Sequence, residues 1–391
     1  MSTPSLRRVL TLWPLIFYGL GVIVGAGIYV AIGSVIARAG DAAPLAFLLA
    51  GVVAALTGLC YAELAGRFPE AAGAAAYVRR GFGSDRLSQI VGAAMTFAVA
   101  ISAASIARGA VLYLVMLAPL PVPLLLAALI AVFTAVALLG VRESVGLAAA
   151  IGLLEIAGLI AATAAGLMAT TDFHLGHWPE IDWSAWPGLF SGAFIAFFAF
   201  IGFETLANLG EEVKDPARTL PRGIVGAVAA SIVLYIAVSS AAVLADRGPD
   251  NPLIGLFEGR AASVFAAVGF LSVANGVLVQ IVMLSRLFYG MARSGQLPAW
   301  LGRIHARTRT PAGATLVAGA IVLAAALLVP FERLLVSANA LTLLLFAVVD
   351  MALWRVKRKE PAMPGAFTVP AAVPPIAAAL SIVLMLSELL G

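Results

Sequence analysis

The chain has 391 residues, 62% of them hydrophobic and only 11% charged, with a formal net charge of +4. A soluble domain carries about 45–50% apolar and about 25% charged residues, so this composition excludes an ordinary soluble fold and indicates a polytopic helical membrane protein. One cysteine, Cys60, excludes an intrachain disulfide framework.

A helix needs ~20 apolar residues to cross the hydrocarbon. Eleven spans are expected, at 11–37, 43–66, 88–118, 121–140, 145–169, 187–210, 223–245, 262–291, 313–330, 334–354 and 369–389. No cleavable leader is expected, because the first apolar segment is long and continues into a multi-span pattern. With the N-terminus cytoplasmic, one side receives Arg7, Arg8, Arg67, Arg79, Arg80, Arg86, Arg142, Lys214, Arg218, Arg222, Arg286, Arg293, Arg303, Arg307, Arg309, Arg355, Lys357, Arg358 and Lys359. The other receives Arg38, Arg247, Arg260 and Arg333, and Arg108 lies within a span. This asymmetry follows the positive-inside rule and places the C-terminus outside. The basic loops are therefore a topology signal, and nucleic-acid binding is not expected. The expected setting is a bacterial inner membrane.

In the first span, Gly21, Gly25 and Gly27 fall within the run Gly21-Val22-Ile23-Val24-Gly25-Ala26-Gly27-Ile28-Tyr29. Glycine weakens a helix, and in lipid each freed N–H or C=O costs several kcal/mol unless something satisfies it. A break here, exposing backbone for use, is one reading; a close-packing surface is the other. In the third span, Ser102, Ser105 and Arg108 share one helix face. The fifth carries Glu155. The sixth has a second interruption at Phe198-Ala199-Phe200-Ile201-Gly202-Phe203-Glu204. Ser272, Asn275 and Gln280 give the eighth polar character, and Asp350 near the inner end of the tenth is expected to pair with a loop base such as Arg355.

The two interruptions lie five spans apart. Paired interruptions in corresponding positions of two halves point to inverted repeats with a site at the midplane. The expected organisation is a first five-helix repeat over 1–169, a second, inverted one over 184–357, and an additional C-terminal helix over 368–391. The first and sixth helices are both expected to be discontinuous.

The same segments resemble the amino acid–polyamine–organocation transporter superfamily over nearly the whole chain. The run Gly21–Tyr29 is similar to its first-helix motif, and Tyr61-Ala-Glu63 through Gly73 and Tyr77 to its signature after the second helix. Further matches are Phe200-Ile-Gly-Phe-Glu204, Glu211-Glu-Val-Lys-Asp-Pro216, and Ser285-Arg286 through Arg293 to Pro298. Most members have twelve helices, against eleven expected here. The resemblance implies an amino acid substrate. Free N–H groups near Gly27 suit its carboxylate, and free carbonyls before Gly25 and Gly202 suit its ammonium. Backbone binding is thus assigned to Val24, Gly25, Ala26, Gly27, Phe200, Ile201 and Gly202, with Ser102 and Ser105 on the facing helix. Phe198 matches the position of an aromatic gate in relatives.

An ionisable residue at membrane depth is a functional candidate by default. Where proton-driven relatives often place a lysine, this chain has Glu155. It could carry a proton, since burial disfavours a carboxylate's charged form. It could instead anchor a cation such as sodium, or form an ion pair with Arg108. Glu204 is either a proton site or the hydrogen-bond partner of N–H groups freed around Gly202. Ser272 and Asn275 match a helix that contacts the cation-equivalent site in relatives. Charges at Glu63, Arg67, Lys214, Asp215, Arg286 and Arg293 could break and reform as an inner gate moves.

The expectation is a secondary amino acid transporter working by alternating access, proton-coupled and taking neutral or apolar amino acids, with an exchanger or exporter as the alternative. No cofactor or metal is expected, and the oligomeric state is open. An intramembrane enzyme or a channel is the competing class. His174 and His177 share a loop at a spacing that could hold metal, but no HExxH pattern or paired aspartate accompanies them.

Overall fold

A computed structural model describes residues 10–69, 73–139, 141–169, 186–207, 209–210, 213–246, 251–293, 295–305, 308, 310–361 and 365–390, excepting the side chains of 26, 141–150, 389 and 390. His174, His177, Glu211 and Glu212 lie outside the described residues. The described elements are helical, apart from one isolated parallel bridge between Leu10 and Val213.

Each expected span has a helical counterpart. In chain order these are α1 (Leu12–Ala39), α2 (Ala43–Arg67), α3 (Gly73–Phe82), α4 (Asp85–Leu117), α5 (Val122–Leu139), α6 (Val141–Ala169), α7 (Trp186–Ala196), α8 (Glu204–Ala207), α9 (Pro216–Leu244), α10 (Gly259–Arg293), α11 (Ala312–Leu328), α12 (Phe331–Lys359) and α13 (Val373–Leu390). The helix α3 is additional to the expected spans; it buries Ala74, Ala76, Tyr77 and Val78 and exposes Arg79 and Arg80. The termini of the long helices are set locally. Gly40, at φ 52°, ends α1. Pro44 opens α2, and Pro216 opens α9.

The sixth span is interrupted, as its sequence indicates. α7 gives way to a 3-10 segment, Phe197–Phe200, Ile201 is extended, and Gly202 sits at φ 130° before α8. The expected break in the first span is not present: α1 is one continuous helix through Gly21–Tyr29. The magnitudes explain this. A glycine costs a helix roughly 1 kcal/mol against alanine, whereas each backbone group freed in hydrocarbon costs several. The glycines serve packing instead. A Cβ on Gly27 would stand 2.5 Å from Ala199 Cα and O, and one on Gly152 would stand 3.0 Å from Gly21 Cα. Such small residues let helices approach where lipid supplies no hydrophobic drive. α1 is consequently enclosed by α6, α7, α9 and α10.

At one end of the bundle, here termed the basic face, Glu63 of α2 is fully buried. It pairs with Arg67 and receives Lys357 Nζ at 2.9 Å on both oxygens and the Val369 N–H at 2.7 Å. Lys357 also donates to Val369 O at 2.7 Å, and Arg67 to Glu360 O at 3.1 Å. Removing one partner from such a buried pair costs about 3–5 kcal/mol, because the other charge is left uncompensated. Glu63→Ala is therefore expected to lower the melting temperature of the purified protein sharply, and Lys357→Met in the same background to restore part of it. At the opposite end, Arg38 of α1 donates to Glu388 of α13 at 2.6 Å and to Ser191 of α7 at 2.5 Å, and it reaches Glu332 of α12 at 3.5 Å.

Candidate solute cavity at the broken helix

The interruption of the sixth span opens onto a cavity between α1, α4, α8 and α10. It is narrow, with room for little more than a water molecule in this conformation. Gly21, Val22 and Gly27 line it from α1, Ser102 and Ile106 from α4, and Phe198, Ile201, Gly202 and Thr205 from the break. α10 contributes Asn275, Gly276, Val279, Gln280 and Met283. The polar side chains are Ser102, Thr205, Asn275 and Gln280, and no acid or base is among the lining residues. Gln280 Nε2 lies 3.5 Å from Ser102 Oγ.

Two aromatic clusters bracket the cavity. Towards the basic face, Tyr61, Phe203 and Phe346 stack mutually with centroids 5.1–5.7 Å apart, and Tyr77 meets Tyr61 edge-on. Towards the opposite face, Tyr29 packs on Tyr113 and Phe265, and Phe265 stacks on Phe257 at 4.6 Å. Beyond this second cluster lies a broad recess lined by Tyr29, Tyr113, Arg38, Asn251 and Glu332.

The residues singled out in the sequence divide into groups. Ser102, Phe198, Ile201, Gly202, Gly27 and Asn275 meet at the cavity. Val24, Gly25, Ser105 and Phe200 are buried behind its wall; Phe200 packs on Tyr235 at 5.0 Å. Ala26 lies in α1, and its side chain is outside the described residues. Because α1 is continuous, its amides at 24–27 stand within the helix rather than free for a ligand; the opened backbone is at Ile201–Phe203.

Glu155 lies directly against Gly25: a Cβ there would meet its carboxyl atoms at 2.5–2.7 Å. Both oxygens are buried, and neither has a well-formed hydrogen bond among the described residues; the Asn275 side chain is a polar group beside them. The ion pair with Arg108 does not form. Arg108 Nε donates to Ala326 O at 2.6 Å, at the last turn of α11, where unpaired carbonyls attract a cation. Glu204 Oε2 accepts the Gly202 N–H at 2.8 Å, so this carboxyl holds the break in shape. Ser272 Oγ returns to Val268 O at 2.8 Å on its own helix. Asp350 does not pair with Arg355, which stacks on Phe82; it is fully buried and accepts Thr57 Oγ1 at 3.1 Å.

Three tyrosines escaped the sequence reading. Tyr235 donates to Ile23 O at 2.9 Å and Ala199 O at 2.8 Å, joining α1 to the 3-10 segment. Tyr113 donates to Tyr29 O at 2.8 Å, and Tyr29 to Glu155 O at 3.0 Å. A phenol inside an apolar span is the available signal, since a buried hydroxyl needs a partner.

Eight helices long and apolar enough to cross a membrane, packed with shorter apolar helices among the described residues, define a polytopic integral membrane protein. The chain matches the family described as amino acid permease over residues 10–389 and belongs to that family. It is 31% identical over 337 residues to "Cationic amino acid transporter 9, chloroplastic" of Arabidopsis thaliana, covering 78% of this chain and 58% of the relative. It is 30% identical to "Cationic amino acid transporter 3, mitochondrial" of the same organism (91% and 63% covered) and 30% identical to "Methylthioribose transporter" of Bacillus subtilis (strain 168), with 94% and 85% covered. The chain thus spans about three fifths of the length of the two plant relatives.

Proposed function

We propose that this protein is a secondary transporter that carries neutral amino acids by alternating access, coupled to protons. The observation that carries the reading is the cavity at the Gly202 break, with one aromatic cluster towards each face of the bundle. The lining favours an amino acid with a neutral side chain: four uncharged polar side chains surround it, and a second, side-chain ammonium or guanidinium would demand a carboxylate there. A neutral sugar derivative is the second reading, supported by the family's methylthioribose relative and the same uncharged lining.

The repeat organisation fits this function. Residues 1–169 and 184–357 form the inverted repeats, 368–391 the appended helix, and the two helices they make equivalent both line the cavity. The basic face is cytoplasmic by the positive-inside rule. Substrate ammonium meets the carbonyls around Phe200 and Ile201. Its carboxylate meets the amides of Gly25, Ala26 and Gly27 once α1 opens beside them. Tyr235 and Tyr113 already hold Ile23 O and Tyr29 O on either side of that segment, which lowers the cost of opening it. Glu155 is the coupling acid. Its carboxyl is buried against Gly25 with the Asn275 side chain beside it, so a change in α1 at that glycine changes what the acid can bond to.

The test is uptake of labelled alanine, leucine, methionine and phenylalanine, and of arginine and lysine, into proteoliposomes with and without a pH gradient. Gradient-driven accumulation of the neutral set is expected. Preference for arginine or lysine would overturn the substrate class, and absence of both accumulation and exchange would overturn the transport reading.

A further inference from the structure

The corner of the basic face where α3 meets the end of α12 carries cations that neither the cavity nor the buried ion pairs use. Gly81 lets the two helices touch: a Cβ there would stand 2.6 Å from Ala352 O. Lys359 Nζ donates to Gly81 O at 3.0 Å, across the same contact. Arg355 lies over the Phe82 ring, 4.8 Å from its centroid, and Arg358 over Trp354 at 3.8 Å. Arg79 belongs to the last turn of α3, and Arg86 to the first turn of α4. All four arginines are exposed, and no salt bridge among the described residues engages them. The acids nearest in sequence are Asp85 and Glu360.

Helix ends account for part of this group. A cation near a helix C-terminus answers its carbonyls, which covers Lys359 and Arg79. It does not cover Arg86, which stands at the positive end of its helix dipole. Stacking fixes where Arg355 and Arg358 sit but leaves the N–H edges of each guanidinium uncovered. A planar fork of that kind matches two oxygens of a phosphate. The second observation is apolar. Ile90 and Phe97 lie four and eleven residues beyond Arg86, on the same face of α4, and are 64% and 62% exposed. The surface thus passes from cations to hydrocarbon along one helix face of a membrane-length helix. A soluble anion would use only the first part; an acylated anion uses both.

We propose that this corner is a seat for an anionic phospholipid. Arg79, Arg86, Arg355 and Arg358 hold its phosphate at the basic face, and an acyl chain lies along the Ile90–Phe97 stripe. A lipid held there ties α3 to α12 and α4. The inference rests on the membrane setting alone, whichever solute is carried.

The test uses the full chain in an uncharged detergent, titrated with phosphatidylglycerol, phosphatidylcholine or glycerol phosphate. Native mass spectrometry counts the bound molecules, and the melting temperature follows stabilisation. Phosphatidylglycerol is expected to bind and to raise the melting temperature, and phosphatidylcholine to do neither. Arg79→Gln, Arg86→Gln and Arg358→Gln combined are expected to weaken phosphatidylglycerol binding roughly 100-fold, and Arg86→Gln alone about fivefold. The single variant decides the matter if the triple one does not fold. Arg218→Gln, Arg222→Gln and Arg303→Gln combined remove exposed charges elsewhere in the basic loops and should leave binding intact. Phe97→Ala should weaken the lipid and not glycerol phosphate. Equal binding of phosphatidylcholine would overturn the proposal, as would equal losses in the two triple variants, which would mark a diffuse charge effect. Glycerol phosphate binding as tightly as the lipid would also overturn it, by showing a free-phosphate site. No transport measurement enters, so the outcome is separate from the carrier reading.

Discussion

Replacing Gly27 with valine is expected to remove most transport activity and to lower the melting temperature. The obstacle is backbone: the new Cβ would stand 2.5 Å from Ala199 Cα and O, and neither atom can rotate away. Overpacking of this kind costs about 1–3 kcal/mol. A penalty of that size against one conformer depletes it by roughly 5- to 150-fold. The loss should appear as reduced maximal uptake with the variant still in the membrane, and unchanged uptake would show that α1 and the 3-10 segment do not stay in contact during the cycle. Gly25→Ala makes an instructive contrast. Its Cβ would meet the Glu155 carboxyl, the end of a rotatable side chain. That variant should fold closer to normally and show its defect in coupling.

The second large effect is expected at Glu155. Glu155→Gln keeps the shape and removes the charge change. Exchange of substrate should persist, and the pH dependence of uptake should flatten. The buried seat on Gly25 explains the expectation: the carboxyl has no well-formed hydrogen bond among the described residues and only the Asn275 side chain beside it, so a change at α1 reaches it directly. Unchanged pH dependence of uptake would move the coupling role from Glu155 to Glu204. A structural role alone would instead reduce exchange and accumulation together.

Much of this architecture is legible in the residues. Apolar runs mark every span, and among the described residues eight of the helices they form are of membrane length. The break at Gly202 is legible because a glycine and an acid stand together at membrane depth, and the Glu204 bond to the Gly202 N–H is a local interaction of two residues' separation. The state of α1 is not legible in the same way. Its glycines suit both an opened helix and a close contact, and the choice depends on Ala199 and Glu155, which are distant in sequence. The partner of Arg108 is not legible for a related reason: its charge suits an acid such as Glu155 as well as the carbonyls at the end of α11, and the structure gives it the carbonyls. Asp350 was placed with loop bases because helix position alone does not reveal Thr57 across the interface.

The cluster at Arg38 has a mechanical consequence. Three helices, α7, α12 and α13, hold the C-terminal tip of α1 through Ser191, Glu332 and Glu388. With 28 residues at 1.5 Å each, α1 is ~42 Å long. A rod pinned at one tip behaves as a lever. A given tilt about Arg38 displaces Tyr29 least and Leu12, near the Leu10–Val213 bridge, most. Loosening the fulcrum, for instance with Arg38→Ala, would spread the motion along the whole rod and blunt its reach.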